Sequence, residues 1–172
     1  AKMDAVVMGH GSEAKTTLGP LITEKAMAKV AKLVEGAAGE GARLLLGGKP
    51  LDGKGFFYPP TVLGDVPPGA AILKEEIFGP VATIVTFDDL DEAIRLANDT
   101  EFGLVAFLYT RDLAKGLKLA EAIESGMVAI NRGLVSDAAA PFGGVKQSGL
   151  GREGGHHGLL EFVEPKYIST VW

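Results

Sequence analysis

Residues 81–112 read VATIVTFDDLDEAIRLANDTEFGLVAFLYTRD. The stretch changes period twice. Val81–Phe87 is apolar and β-branched, with Gly79-Pro80 before it and Asp88-Asp89 after it. That predicts a buried strand with punctuation at both ends. Residues 88–98 then take helical spacing, capped by Asp88 or Asp89, with Ala93, Ile94 and Ala97 inward. Val105–Thr110 returns to strand. A strand, a helix and a second strand in one run predict an α/β layer.

The same alternation continues outward. Downstream, Asp112 caps a helix that runs through Ile123 and stops at Gly126, and Met127–Ile130 is a strand. A Gly-rich loop follows from Asn131 to about Gly154. Upstream, Thr23 caps a helix whose Ala26, Met27, Val30, Leu33 and Val34 recur at helical spacing, and the Gly-rich stretch 36–41 stops it. Arg43–Leu46 is a short strand. Phe56–Leu63 is extended but holds Pro59-Pro60, so an edge or irregular strand is expected. Met3, Val6, Val7 and Met8 look like the end of a helix closed by Gly9-His10-Gly11. The sum is an α/β fold with a largely parallel open sheet and flanking helices. One piece breaks the alternation: Leu160–Val171 looks like an extended strand with Pro165 inside.

Composition narrows the function. The chain has 172 residues, 47% hydrophobic and 23% charged, which suffices for a packed core. Net charge is −5 and no basic block stands out, so neither nucleic acid nor an anionic membrane surface is an expected partner. The apolar runs are strand-sized, too short to span a bilayer. No N-terminal secretory pattern is present, and the default compartment is cytoplasmic. There is no cysteine, so this chain holds no disulfide, thiolate metal site or cysteine nucleophile.

Several local patterns have plain readings. Gly149–Gly154 spells G-x-G-x-x-G, but it follows loop sequence rather than a strand. It reads as a Gly-rich loop packed against a ligand or another domain. His156 and His157 are adjacent, so their side chains diverge and do not form a metal pair. No metal is expected. Gly48-Lys49 is followed by Pro50, which rules out a phosphate loop. Asn98-Asp99-Thr100 matches a glycosylation acceptor but reads more simply as a helix end.

Two segments stand above these: "EEIFGPV" at 75–81, where paired carboxylates flank an apolar pair in a Gly-Pro corner, and "APFGGVKQSGLGREGG" at 140–155, just past the strand "MVAIN". With "TTLGPLIT", "FFYPPTVL" and "DEAIRLANDTEFGLVAFLYTRD", in this order, they resemble the NAD(P)-dependent aldehyde dehydrogenases over nearly the whole chain. The spelling "PFGGVKQSGLGREG" is closest to the succinate-semialdehyde dehydrogenases.

The resemblance covers roughly the last third of such an enzyme. It implies that the nucleotide-binding domain, the catalytic cysteine and the general-base glutamate lie upstream of Ala1, so that the chain is a fragment, inactive alone. The parent would oxidise an aldehyde, succinate semialdehyde first, through a thiohemiacetal on that cysteine, with NAD or NADP as cofactor. Glu76 would bind the nicotinamide ribose hydroxyls, and Phe78 would lie near the nicotinamide ring. The plain alternative has Glu76 capping a backbone N–H and Phe78 in the core. Phe142 would line the aldehyde tunnel, against simple core packing. Ser136 would contact the substrate carboxylate, against a turn serine. Glu153 would help move protons from the catalytic site, against an ion pair with Arg152 or a neighbour. Residues 1–158 would form the catalytic-domain segment. Residues 159–172 would form an oligomerisation strand of a homo-oligomer, dimer or tetramer. "GHHG" at 155–158 departs from the "SKYG" of the closest relatives, in a peripheral segment. A different class of reading, a non-catalytic assembly or binding module, rests on the missing nucleophile and the strand-like tail. A free nucleotide-binding domain rests on "GLGREG" alone.

Overall fold

The computed structural model describes residues 2–172. It divides into two compact units, one ending at Asp88 and the other beginning at Asp89.

The first unit is built on α1 (Glu24–Gly39). Thr23 is its N-cap, its hydroxyl accepting from Ala26 N–H at 3.1 Å. The helix passes Gly36 and ends only at Gly39, because glycine costs a helix about 1 kcal/mol, which packing outweighs. That packing is the stripe Val30, Leu33, Val34 and Ala37, buried against Tyr58, Leu63, Val66 and Ile72. Strands β1 (Arg43–Leu46), β2 (Thr61–Gly64) and β3 (Val81–Thr83) form one sheet in that order. β1 and β2 are antiparallel; β2 and β3 are parallel.

Three expectations are corrected here. The Pro59-Pro60 pair lies just before β2, and β2 is the central strand, not an edge. β3 is half-buried and three residues long; Ile84 and Phe87 beyond it are exposed. At the amino end the expected helix is a single 3-10 turn, Met3–Ala5, after which Met8 bridges Leu18.

The second unit opens with α2 (Leu90–Asn98), capped by Asp89, whose carboxylate accepts from Glu92 N–H at 2.8 Å. Ala97 faces solvent, not inward. β4 (Phe102–Gly103) and β5 (Val105–Leu108) follow, then α3 (Leu113–Ala122), capped by Asp112 onto Lys115 N–H, and β6 (Met127–Ile130). β5 pairs parallel with β6 across the α3 crossover. The expected loop after Asn131 contains β7 (Val145–Lys146), antiparallel to β4, and ends in α4 (Gly155–Leu160).

The strands therefore make three small sheets of mixed direction among the described residues, not one largely parallel sheet. Parallel pairing needs a crossover connection. α3 supplies one between β5 and β6. Residues 47–60, between β1 and β2, contain no helix, so that return is antiparallel. The tail joins no sheet among the described residues. Its first residue, Leu160, ends α4, and residues 163–172 are exposed and outside every strand.

Candidate functional site

In the first unit the Glu75–Pro80 corner is held by one inward residue. Ile77 packs on the core, while Glu76 and Phe78 on either side face outward. Gly79 lies so close to α1 that an added Cβ would stand 2.7 Å from Cγ2 of the fully buried Val30. Lys29 on α1 donates from Nζ to the Glu76 carbonyl at 2.5 Å. Pro80 O accepts from Thr61 N–H at 2.8 Å, which joins the corner to the central strand. Phe78 is thereby held at φ 51°, the left-handed region, with 80% of its surface exposed. A bulky L-residue there is an outlier that its surroundings must enforce. The Glu76 carboxylate has no hydrogen bond or ion pair among the described residues. Neither plain alternative fits: Glu76 caps no N–H, and Phe78 is not core. The corner presents a free carboxylate beside a bare aromatic face.

In the second unit three of the residues singled out from sequence come together. Ser136, Phe142 and Glu153 border one open groove of about 390 Å³, with Asp137, Ala138 and Gly154. Phe142 and Glu153 are joined through their backbones, Phe142 N–H to Glu153 O at 2.7 Å and Glu153 N–H to Phe142 O at 2.8 Å. Both also border an adjoining hollow of about 350 Å³ beside Arg152 and Glu161. Glu153 does not pair with Arg152. That guanidinium donates instead to the carbonyls of Gly144 and Gly151, at 2.7 Å each. Ser136 is exposed ahead of a turn that Asp137 builds by accepting from Ala139 N–H at 2.9 Å. Phe142 is half-buried, with part of its ring left to the groove. The backbone is packed to contact here: a Cβ on Gly126 would stand 2.1 Å from Gly143 O.

No group of three His, Cys, Asp or Glu side chains suited to a metal occurs among the described residues. The His156 and His157 rings lie 6.2 Å apart and near perpendicular. No described helix is long and apolar enough to cross a membrane. Sequence reading missed Lys29 and Lys146, single lysines that look solvent-facing in a string of letters. It also missed the left-handed backbone at Phe78 and Lys146. The one sequence signal for Phe78 was an aromatic placed directly before Gly-Pro.

The aldehyde dehydrogenase family pattern matches residues 1–168. The chain is 53% identical over 171 residues to a succinate-semialdehyde dehydrogenase of Paenarthrobacter nicotinovorans, covering 99% of this chain and 38% of the relative. It is 51% identical over 161 residues to a glutarate-semialdehyde dehydrogenase of Pseudomonas putida, covering 94% and 33%. The crystal structure of an E. coli NADP-dependent enzyme superposes with a TM-score of 0.93 at 47% identity, over 97% of this chain and 35% of that one. The chain thus spans about a third of the length of the relatives it matches. With that match and these two constellations, the chain belongs to the aldehyde dehydrogenase family.

Proposed function

We propose that this chain supplies the carboxy-terminal catalytic segment of an enzyme that oxidises a carboxylate-bearing short aldehyde, succinate semialdehyde first, to the diacid with NAD(P)+. The observation that carries this is the meeting of Ser136, Phe142 and Glu153 on one groove. The Ser136 hydroxyl donates to the remote carboxylate of the substrate. The half-buried Phe142 ring walls the aldehyde carbon from water. The unpaired Glu153 carboxylate accepts a proton and passes it outward. The chain has no cysteine, so the thiol that attacks the aldehyde comes from outside these 172 residues.

NAD(P)+, when bound, supplies the hydride acceptor. The first unit fits the nicotinamide end of that group. The free Glu76 carboxylate has two oxygens for the two ribose hydroxyls, and the exposed Phe78 ring offers an apolar face beside it. Residues 159–172 serve as an oligomerisation strand. Beyond Val163 the tail's backbone makes no hydrogen bond among the described residues, and Phe162, Tyr167, Ile168 and Trp172 are exposed, which suits strand addition to a second subunit.

The test uses the full-length enzyme that carries this chain. Ser136→Ala is expected to raise KM for succinate semialdehyde about tenfold, the loss of one charge-assisted hydrogen bond, and to leave KM for an uncharged aldehyde of equal length unchanged. Equal effects on both aldehydes overturn the carboxylate contact. A wild-type enzyme that turns over only the uncharged aldehyde overturns the substrate class.

A further inference from the structure

Lys146 sits in the two-residue strand β7 at φ 56°, a conformation glycine would adopt at less cost. Its side chain is nonetheless mostly covered, 25% exposed. The ammonium donates to Asn98 O at 2.9 Å and to Thr100 O at 3.1 Å, and it pairs with Glu124 Oε2 at 2.6 Å. An ammonium has three protons, and these three acceptors use them all. Asn98 is the last residue of α2, where carbonyls lack helical partners and a cation is favoured. The Asn98 side chain ties in α3 as well, donating to Ala122 O and accepting from Glu124 N–H, both at 2.9 Å. One ammonium therefore joins β7 to the carboxyl ends of two helices.

The chain on either side of Lys146 is fastened in series. Gln147 N–H donates to Glu101 O at 2.8 Å, and Ser148 Oγ accepts from Gly103 N–H at 3.0 Å. Arg152 then returns to Gly144 O, and the Phe142–Glu153 backbone pair closes the segment. We propose that Lys146 is a positioning residue: its ammonium fixes segment 142–153 against the ends of α2 and α3, and so sets where Phe142 and Glu153 stand in the groove. Its bearing on the reaction rests on the reading of that groove as the aldehyde site. Lysine is kept at a left-handed position because glycine would relax the backbone and remove the ammonium that holds it.

The test is made in the full-length enzyme with Lys146→Met, which keeps length and removes charge, and Lys146→Arg, which keeps charge. In the Met variant, amide hydrogen exchange across 142–153 is expected to quicken about tenfold while α1 is unaffected. Aldehyde KM is expected to rise about tenfold, with kcat within about threefold and cofactor Kd unchanged. The Arg variant is expected to return KM to within about threefold of wild type. A folded Met variant with wild-type exchange in 142–153 overturns the proposal. Faster exchange with wild-type aldehyde KM keeps the latch but discards the aldehyde reading of the groove, and with it any role for Lys146 in the reaction. Should the Met variant fail to fold, Glu124→Gln carries the test. It leaves both carbonyl bonds, is expected to shift exchange and KM the same way about threefold, and overturns the proposal if both stay at wild type.

Discussion

Phe78→Gly separates a functional aromatic from a structural one by its effect on stability. A fully buried Phe removes roughly 150–250 Å² from water. With 80% of Phe78 exposed, about a fifth of that is covered, and at about 25 cal/mol per Å² it contributes about 1 kcal/mol. Against this stands the left-handed backbone at φ 51°, which costs an L-residue about 1–2 kcal/mol and glycine little. Glycine also loses about 0.5–1 kcal/mol through the greater freedom of its unfolded chain. The three contributions nearly cancel, so the variant is expected to unfold within about 1 kcal/mol of wild type. Phe78→Ala keeps the strain and loses the area, so it falls about 1 kcal/mol below wild type. A core Phe truncated to Ala would cost about 3–5 kcal/mol. Equilibrium denaturation of the full-length enzyme, read as a midpoint shift at constant slope, gives these values. Cofactor titration of the same Gly variant is expected to show binding about tenfold weaker, one lost stacking contact. A stability loss of 3 kcal/mol or more, with unchanged cofactor binding, would refute the reasoning and return Phe78 to packing.

Three further outcomes follow from named contacts. Glu76→Gln keeps an acceptor but loses the charge, so the pre-steady-state burst of reduced cofactor is expected to slow more than cofactor Kd rises; an unchanged burst rate rules out a positioning carboxylate. Gly126→Ala places a Cβ 2.1 Å from Gly143 O, a backbone atom that cannot swing away, so the variant is expected to lose about 2–3 kcal/mol and to show a raised aldehyde KM; wild-type values for both would mean that residues 142–144 give way freely. Tyr58 is buried with its hydroxyl lacking a partner at hydrogen-bonding geometry, and burial pushes the phenol above its ordinary value of 10.0. The neutral phenol is the form the fold favours, so its contribution is complete below about pH 10 and is lost as pH rises towards the folded value. Tyr58→Phe is expected to gain about 1 kcal/mol at neutral pH and to flatten the alkaline limb of stability, measured by denaturation between pH 7 and 11.

What could be read from the sequence was what is local. The caps at Thr23, Asp89 and Asp112 are each a side chain bonding an N–H three residues on, and all three form. Helical spacing found the buried face of α1 for the same reason. What was misread depends on partners far along the chain. β7 is two residues inside a Gly-rich loop, and only β4, more than forty residues earlier, makes it a strand. Pro59-Pro60 suggested an edge, yet the strand begins just past the pair, where proline's missing donor no longer matters. Family spelling singled out Glu76, Phe78, Ser136, Phe142 and Glu153 as candidates. The exposure of Phe78 could not be read, because an aromatic in an apolar run reads as core unless the backbone angle is known.

The two constellations share a construction that accounts for this blind spot. At the first, Ile77 enters the core and Lys29 takes the carbonyl of Glu76, so the neighbours Glu76 and Phe78 are forced out into solvent. At the second, Lys146 takes the carbonyls of Asn98 and Thr100 and the carboxylate of Glu124, and Arg152 takes the carbonyls of Gly144 and Gly151. In each case a long cationic side chain satisfies main-chain acceptors, which frees the carboxylates of Glu76 and Glu153 from structural ion pairs. A carboxylate committed to a neighbouring Lys or Arg would have to give up that pair before it could accept from a ligand hydroxyl or take a proton, and the loss would count against binding. Spending the cations on carbonyls keeps the acids available. Arg152 shows the same division: it stands next to Glu153 in "GLGREGG" without pairing with it, and its guanidinium holds the Gly144 and Gly151 carbonyls instead.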